Sequence, residues 1–185
     1  MVDLVSSLAR RQRRLFGAAA LVMLSIYAMA AFGRPVANVL RAQGMLRFFV
    51  AALFVTAAVV GVVWVLKNGR RPNRRELLLF GALGLVYGLF LFRMTYPEEA
   101  FHFLEYGLLG ALLLAGFALR RPLRPAAWLA FGATAFLGWT DELLQHFVPE
   151  RFFDWRDVAL NAFAGLLAIV ASVLWERWAR PAAGS

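Results

Sequence analysis

The chain contains no cysteine, which excludes disulfide frameworks, thiolate metal sites and cysteine nucleophiles. Serine is almost as uninformative. After Ser25 only Ser172 and Ser185 occur, and neither lies near the polar residues discussed below, so a serine nucleophile has no setting. No HExxH or comparable signature is present, so no metal site and no cofactor are expected. Charge is scarce as well: 17% of residues are charged and 62% hydrophobic, whereas soluble domains run about 25% and 45–50%. A soluble fold of 185 residues would lack the polar surface needed to cover its core.

What the chain has instead is apolar residues in long blocks. Six stretches stand out, at residues 15–33, 46–66, 77–92, 101–119, 126–144 and 158–175. Each approaches the roughly 20 residues that carry a helix across a hydrocarbon core about 30 Å thick. Backbone groups in lipid must be satisfied within the segment, so the stretches are expected to be helices. Their continuity does not fit the alternating pattern of a membrane β-barrel. The expected fold is therefore an all-α, polytopic transmembrane bundle of about six helices.

Orientation follows from the arginines. Arg10, Arg11, Arg13 and Arg14 precede the first stretch, and Lys67, Arg70, Arg71, Arg74 and Arg75 fill the second loop. Arg120, Arg121 and Arg124 occupy the fourth loop, and Arg177 and Arg180 the C-terminus. The opposite side holds only Arg34, Arg41, Arg47, Arg93, Arg151 and Arg156. This asymmetry places both termini in the cytoplasm. It also accounts for the net charge of +9 through lipid head groups, so no nucleic-acid partner is expected. Trp64, Trp128, Trp175 and Trp178 fall at the inner ends, with Trp139 and Trp155 near the outer boundary, as interfacial indoles do.

Alternative readings of the first stretch exist: Ala28-Met29-Ala30 resembles a signal-peptidase site, and cleavage there would leave five crossings. Gly84 and Gly88, and Ala164, Ala168 and Ser172, repeat at four-residue spacing and are expected to mark close helix packing. The chain divides into a segment 1–76 with the first two spans, a four-helix core 77–178 and a short tail 179–185.

The segment from Glu98 to Asn161 holds a constellation of polar residues, among them Glu98, Glu99, His102, Glu105, Asp141, Glu142, Gln145, His146, Glu150, Arg151, Asp154, Arg156, Asp157 and Asn161. In the six-helix topology they share the outer side. His102, Glu105 and Tyr106 stand at i, i+3 and i+4, on one helical face; Glu142 reaches Gln145 and His146, and Asp141 reaches Gln145, by the same steps; Asp157 and Asn161 are four apart. Three helices thus present polar faces at one depth, and Arg151 in the connecting loop is placed to pair with a carboxylate or an anionic ligand. Charge inside a membrane helix costs about 2.5–3.5 kcal/mol on insertion scales, which makes such groups functional candidates by default. Glu105 and Glu142 are the candidate general acids or bases. His102, Glu105 and a further carboxylate also form a conceivable divalent-metal set, without a signature to support it. Alternatively, these residues serve only as interhelical hydrogen bonds and ion pairs.

The run Glu99-Ala-Phe-His102-Phe103-Leu-Glu105-Tyr106, the run Asp141-Glu142-Leu-Leu-Gln145-His-Phe147-Val-Pro149-Glu-Arg151, and Asp157-x-x-x-Asn161 occur in that order. Together they resemble the elements of the VanZ-like integral membrane proteins of bacteria, over roughly residues 77–175. Glu99 stands where that family often has lysine, and Ala164 and Ala168 where glycines are frequent. The resemblance implies a multi-pass protein of the bacterial cytoplasmic membrane, in a family named for a member associated with teicoplanin resistance. It brings no agreed reaction.

Two functions fit. In the first, a non-enzymatic envelope protein binds an amphiphilic antibiotic or lipid-linked cell-wall precursor in an outer polar pocket of His102, Glu105, Tyr106, Asp141, Glu142, Gln145, Arg151, Asp157 and Asn161, with membrane lipids around it. In the second, a membrane enzyme acts on a lipid-linked or head-group substrate through Glu105 or Glu142.

Overall fold

The computed structural model describes residues 2–45, 73–93, 97–148 and 151–179, together with Phe48, Ala51, Ala52, Val55, Thr56, Val59 and Val63. Five helices run through these residues: α1 Val2–Ala42, α2 Arg74–Arg93, α3 Pro97–Ala118, α4 Leu123–Gln145 and α5 Trp155–Ala179. The individual residues between 48 and 63 are helical too, and no strand occurs among the described residues. The protein is all-α. Most of the second expected span, residues 46–66, lies outside the described residues, as do Pro149, Glu150 and the tail from 180.

Local signals explain the helix ends. Asn73 and Glu76 form a reciprocal capping box on α2: the Asn73 N–H donates to Glu76 Oε2 at 2.7 Å, and the Glu76 N–H to Asn73 Oδ1 at 2.9 Å. Helix α1 ends where Gly44 takes φ 67°, the left-handed region that favours glycine. The Met45 N–H then folds back to the Leu40 carbonyl at 2.9 Å, the long-range bond of a Schellman stop. Helix α1 extends well past the apolar stretch 15–33 at both ends.

The chain forms two compact units, Met1–Arg34 with His102–Val173, and Pro35–Phe101 with Leu174–Ser185. The division inside α1 falls at Pro35, where the backbone lacks an amide donor. The first unit is built on stripes at helical spacing. Ala19, Met23, Ile26 and Ala30 are buried on α1, and Phe103, Tyr106, Leu109 and Leu113 on α3. Helices α3 and α5 meet where a Cβ on Gly110 would stand 3.0 Å from the Gly165 carbonyl oxygen, and a Cβ on Gly165 only 2.5 Å from Thr134 Cγ2 of α4. Two glycines thus permit the backbone approach that drives association in lipid.

This differs from the packing expected from sequence. Gly84 and Gly88 on α2 are exposed, with nothing among the described residues within 4 Å of a built Cβ. On α5, Ala164 is buried while Ala168 and Ser172 are half-buried. The close approach uses Gly165, one position along from the expected stripe. Four-residue spacing of small residues says that a helix can be approached, not from which side.

The distribution of polarity is inverted relative to a soluble protein. Leu21, Leu24, Leu78, Leu85, Leu108 and Phe136 point outward, whereas Thr134, Asp141, Glu142, Gln145 and Asn161 are buried. Among the described residues, Val5–Ala30, Ala100–Ala118 and Trp155–Trp178 are long and apolar enough to cross a membrane.

Candidate functional site

Helix α4 supplies the frame of the site. Its buried residues are Ala126, Ala130, Thr134, Gly138, Asp141, Glu142 and Gln145, a single stripe at steps of three and four. The first half of the stripe is small and the last turn is polar. Because the face does not change, Asp141 and Glu142 are carried inward by the same periodicity that buries the alanines. Asp141 is 0% exposed and Glu142 2%.

A chain of hydrogen bonds begins at that turn. The Tyr106 hydroxyl of α3 donates to Asp141 Oδ2 at 3.1 Å, and Gln145 Nε2 donates to the same oxygen at 3.0 Å. Gln145 Oε1 accepts from Arg151 Nη1. One amide therefore links the loop arginine to the buried carboxylate. The other carboxylate oxygen, Asp141 Oδ1, is buried without a hydrogen-bond partner among the described residues. Such atoms are rare and costly, and they ask for a donor from elsewhere.

The remaining residues surround this chain. Glu142 Oε2 accepts the Asp154 N–H at 3.4 Å, and Asp154 in turn caps α5 by accepting the Arg156 N–H at 2.8 Å. Asp157, in the first turn of α5, lies near enough to interact electrostatically with both Asp141 and Glu142. Asn161 is buried one turn on, its Cβ 3.1 Å from where a Cβ on Gly138 would stand. On α3, His102 Nδ1 lies 3.8 Å from Glu105 Oε2 and has no hydrogen bond among the described residues. The structure thus draws Tyr106, Asp141, Gln145 and Arg151 into one bonded chain. Glu142, Asp157 and Asn161 stand beside it, and His102 and Glu105 form a pair one turn away on α3. His146 is exposed and stacks edge-on against Phe147, outside the network.

Three parts of this arrangement escaped the sequence reading. Tyr27 of α1 bonds to Thr140 at 2.9 Å, and a lone tyrosine in an apolar run was its only trace. Gly138 and Gly165 stand four residues from Glu142 and Asn161, so helical spacing from known site residues was the available signal. The loop also presents Phe147 and Phe152 at 75% and 84% exposure, beside Trp155, the indole that the sequence already placed near the outer boundary and that opens α5 at 70% exposure.

Helices apolar outside and polar within, three of them long enough to cross a bilayer, define an α-helical membrane protein. The chain belongs to the VanZ/LLP1 family, whose model matches residues 4–176 and so takes in α1 as well as the three polar elements. No curated protein and no solved structure matches it.

Proposed function

We propose that this VanZ/LLP1 protein crosses the bacterial cytoplasmic membrane six times with both ends inside. In this reading the cluster around Asp141 is an outer-face site for the head group of an amphiphile or lipid-linked cell-wall precursor. Occupying that site alters susceptibility to teicoplanin-type glycopeptides. The observation that carries the reading is Asp141 Oδ1: a fully buried carboxylate oxygen, beside two satisfied donors, that has no donor of its own among the described residues. A purely structural network would be expected to close on itself. The exposed Phe147, Phe152 and Trp155 support placing the loop at a membrane surface.

The test is teicoplanin susceptibility of a sensitive host expressing wild type or Glu142→Gln at matched membrane levels. Protection by wild type that is lost with the amide supports the reading. Equal susceptibility of both strains and the empty control refutes the resistance role. A second reading, a membrane enzyme with Glu142 as acid or base, draws on the long 3.4 Å bond that leaves this carboxylate weakly committed. It requires turnover of a lipid-linked substrate that the same amide abolishes, whereas a binder loses affinity by degrees.

A further inference from the structure

The first compact unit contains an apolar groove of about 610 Å³ between α1, α3 and α4, within the range of roughly 300–1,000 Å³ typical of small-molecule sites. Its walls include Phe16, Ala20, Leu24, Leu113, Phe117 and Leu137, and no residue of the polar cluster lines it. Ala20 and Leu24 are exposed, so the groove opens sideways, toward lipid. At one end Tyr27 bonds to Thr140 at 2.9 Å. At the other, Phe16 packs edge-on against Phe117 with ring centroids 5.2 Å apart, and Gln12 Nε2 donates to the Gly116 carbonyl at 3.0 Å.

Positive charge crowds the Phe16 end. Arg13 precedes Phe16 by three residues and Ala20 by seven, so it continues the groove face of α1, whereas Arg11 and Arg14 fall on the opposite side of the helix. Arg120 follows Phe117 by three, and its N–H returns to the Phe117 carbonyl at 3.2 Å, so it continues the face of α3. These arginines are exposed, as are Arg10, Arg121 and Arg124, and among the described residues no carboxylate pairs with any of them. The described carboxylates of this unit other than Asp3 are Glu105, Asp141, Glu142, Asp154 and Asp157, all toward the opposite end. Asp3 stands ten residues before Arg13, roughly 15 Å further along α1.

We propose that this groove binds an anionic phospholipid, one acyl chain lying along α1 and the phosphate held between Arg13 and Arg120. Length supports the chain: from Phe16 to Tyr27, α1 rises roughly 16 Å, close to the hydrocarbon depth of one leaflet, about half of 30 Å. The chain thus runs from head-group level to the bilayer midplane. Charge supports the head group. Guanidinium binds phosphate through paired charge-assisted hydrogen bonds, and two guanidiniums with no carboxylate beside them select net negative charge. Two carbonyls at the end of α3 that would repel a phosphate are already taken, Gly116 by Gln12 and Phe117 by the Arg120 N–H. Diffuse attraction of basic loops to anionic lipid favours no helix face. The groove distinguishes Arg13 and Arg120 from their neighbours.

The experiment uses the full chain in nanodiscs containing equal amounts of phosphatidylglycerol and phosphatidylcholine. One or the other lipid carries a diazirine on its acyl chain, and crosslinks are mapped by mass spectrometry. Crosslinks should concentrate between Phe16 and Tyr27, with phosphatidylglycerol favoured roughly thirtyfold, about fivefold for each arginine. Arg13→Gln with Arg120→Gln should erase most of that preference. Arg11→Gln with Arg14→Gln removes the same charge from the far side of α1 and should keep it. Ala20→Trp fills the groove from an exposed position and should remove the concentration for both lipids. Labelling spread evenly over outward faces and unchanged by Ala20→Trp overturns the groove as a site. Equal yields of the two lipids, or equal losses from the two arginine pairs, overturn the assignment of the phosphate to Arg13 and Arg120. Both leaflets carry the probe, so no outcome depends on which end of the chain faces the cytoplasm.

Discussion

The two halves of the buried stripe on α4 solve the same problem by opposite means. From Ala126 to Gly138 the face is small, and helices close over it until a Cβ on Gly165 would come within 2.5 Å of Thr134. From Asp141 to Gln145 the face is polar, and α3 and the loop are held because Asp141 accepts from Tyr106 and Gln145 accepts from Arg151. The packed half is complete in itself. The polar half is not, because one buried carboxylate oxygen has no partner among the described residues. In lipid, where burying apolar surface drives nothing, an incomplete polar turn is a poor way to hold a bundle together. The difference is what the proposed function uses: packing in one half, ligand binding in the other.

The largest effect that would sharpen this contrast is Gly165→Leu, which forces a branched side chain against Thr134 and should destabilise the fold by about 3 kcal/mol, the upper range for overpacking. Unfolding by SDS titration in mixed micelles measures it; a change under about 1 kcal/mol would mean that the close approach is not tight. Next comes Asp141→Ala, which strands the Tyr106 hydroxyl and the Gln145 amide and should cost about 2–3 kcal/mol. Asp141→Asn keeps an acceptor for both donors and should stay within about 1 kcal/mol of wild type. Equal losses from the two substitutions would deny the bonded chain. Tyr27→Phe removes the donor to Thr140 and should cost about 0.6 kcal/mol, the mean for hydrogen bonds between membrane helices. Smallest of all, Gly84→Leu on the exposed face of α2 should leave stability within about 0.5 kcal/mol in the same titration. A loss comparable to that of Gly165→Leu would restore α2 as a packing face.

The helical membrane class was legible from block length and scarce charge, and the polar residues from their steps of three and four. Both signals live on one helix at a time. Which helices face each other is a tertiary fact, so the Tyr106–Asp141 bond could not be read from spacing, although each partner could be named. The glycines show the same limit from the other side. Gly84 and Gly88 carry the familiar motif and stand exposed, while Gly110 and Gly165 carry none and form the contact. Arg151 was read as a partner for carboxylate or anion; the amide of Gln145 that stands between it and Asp141 depends on the path of the loop, which no periodicity encodes.

The most direct measurement is teicoplanin protection per folded molecule, comparing Glu142→Gln with Gly165→Ala in one host. The account predicts that Glu142→Gln accumulates near wild-type levels of folded protein and loses protection. Gly165→Ala should accumulate less and protect in proportion to what folds. If both variants lose protection only in proportion to folded protein, the polar half of the stripe is packing like the rest, and the division of labour along α4 is wrong.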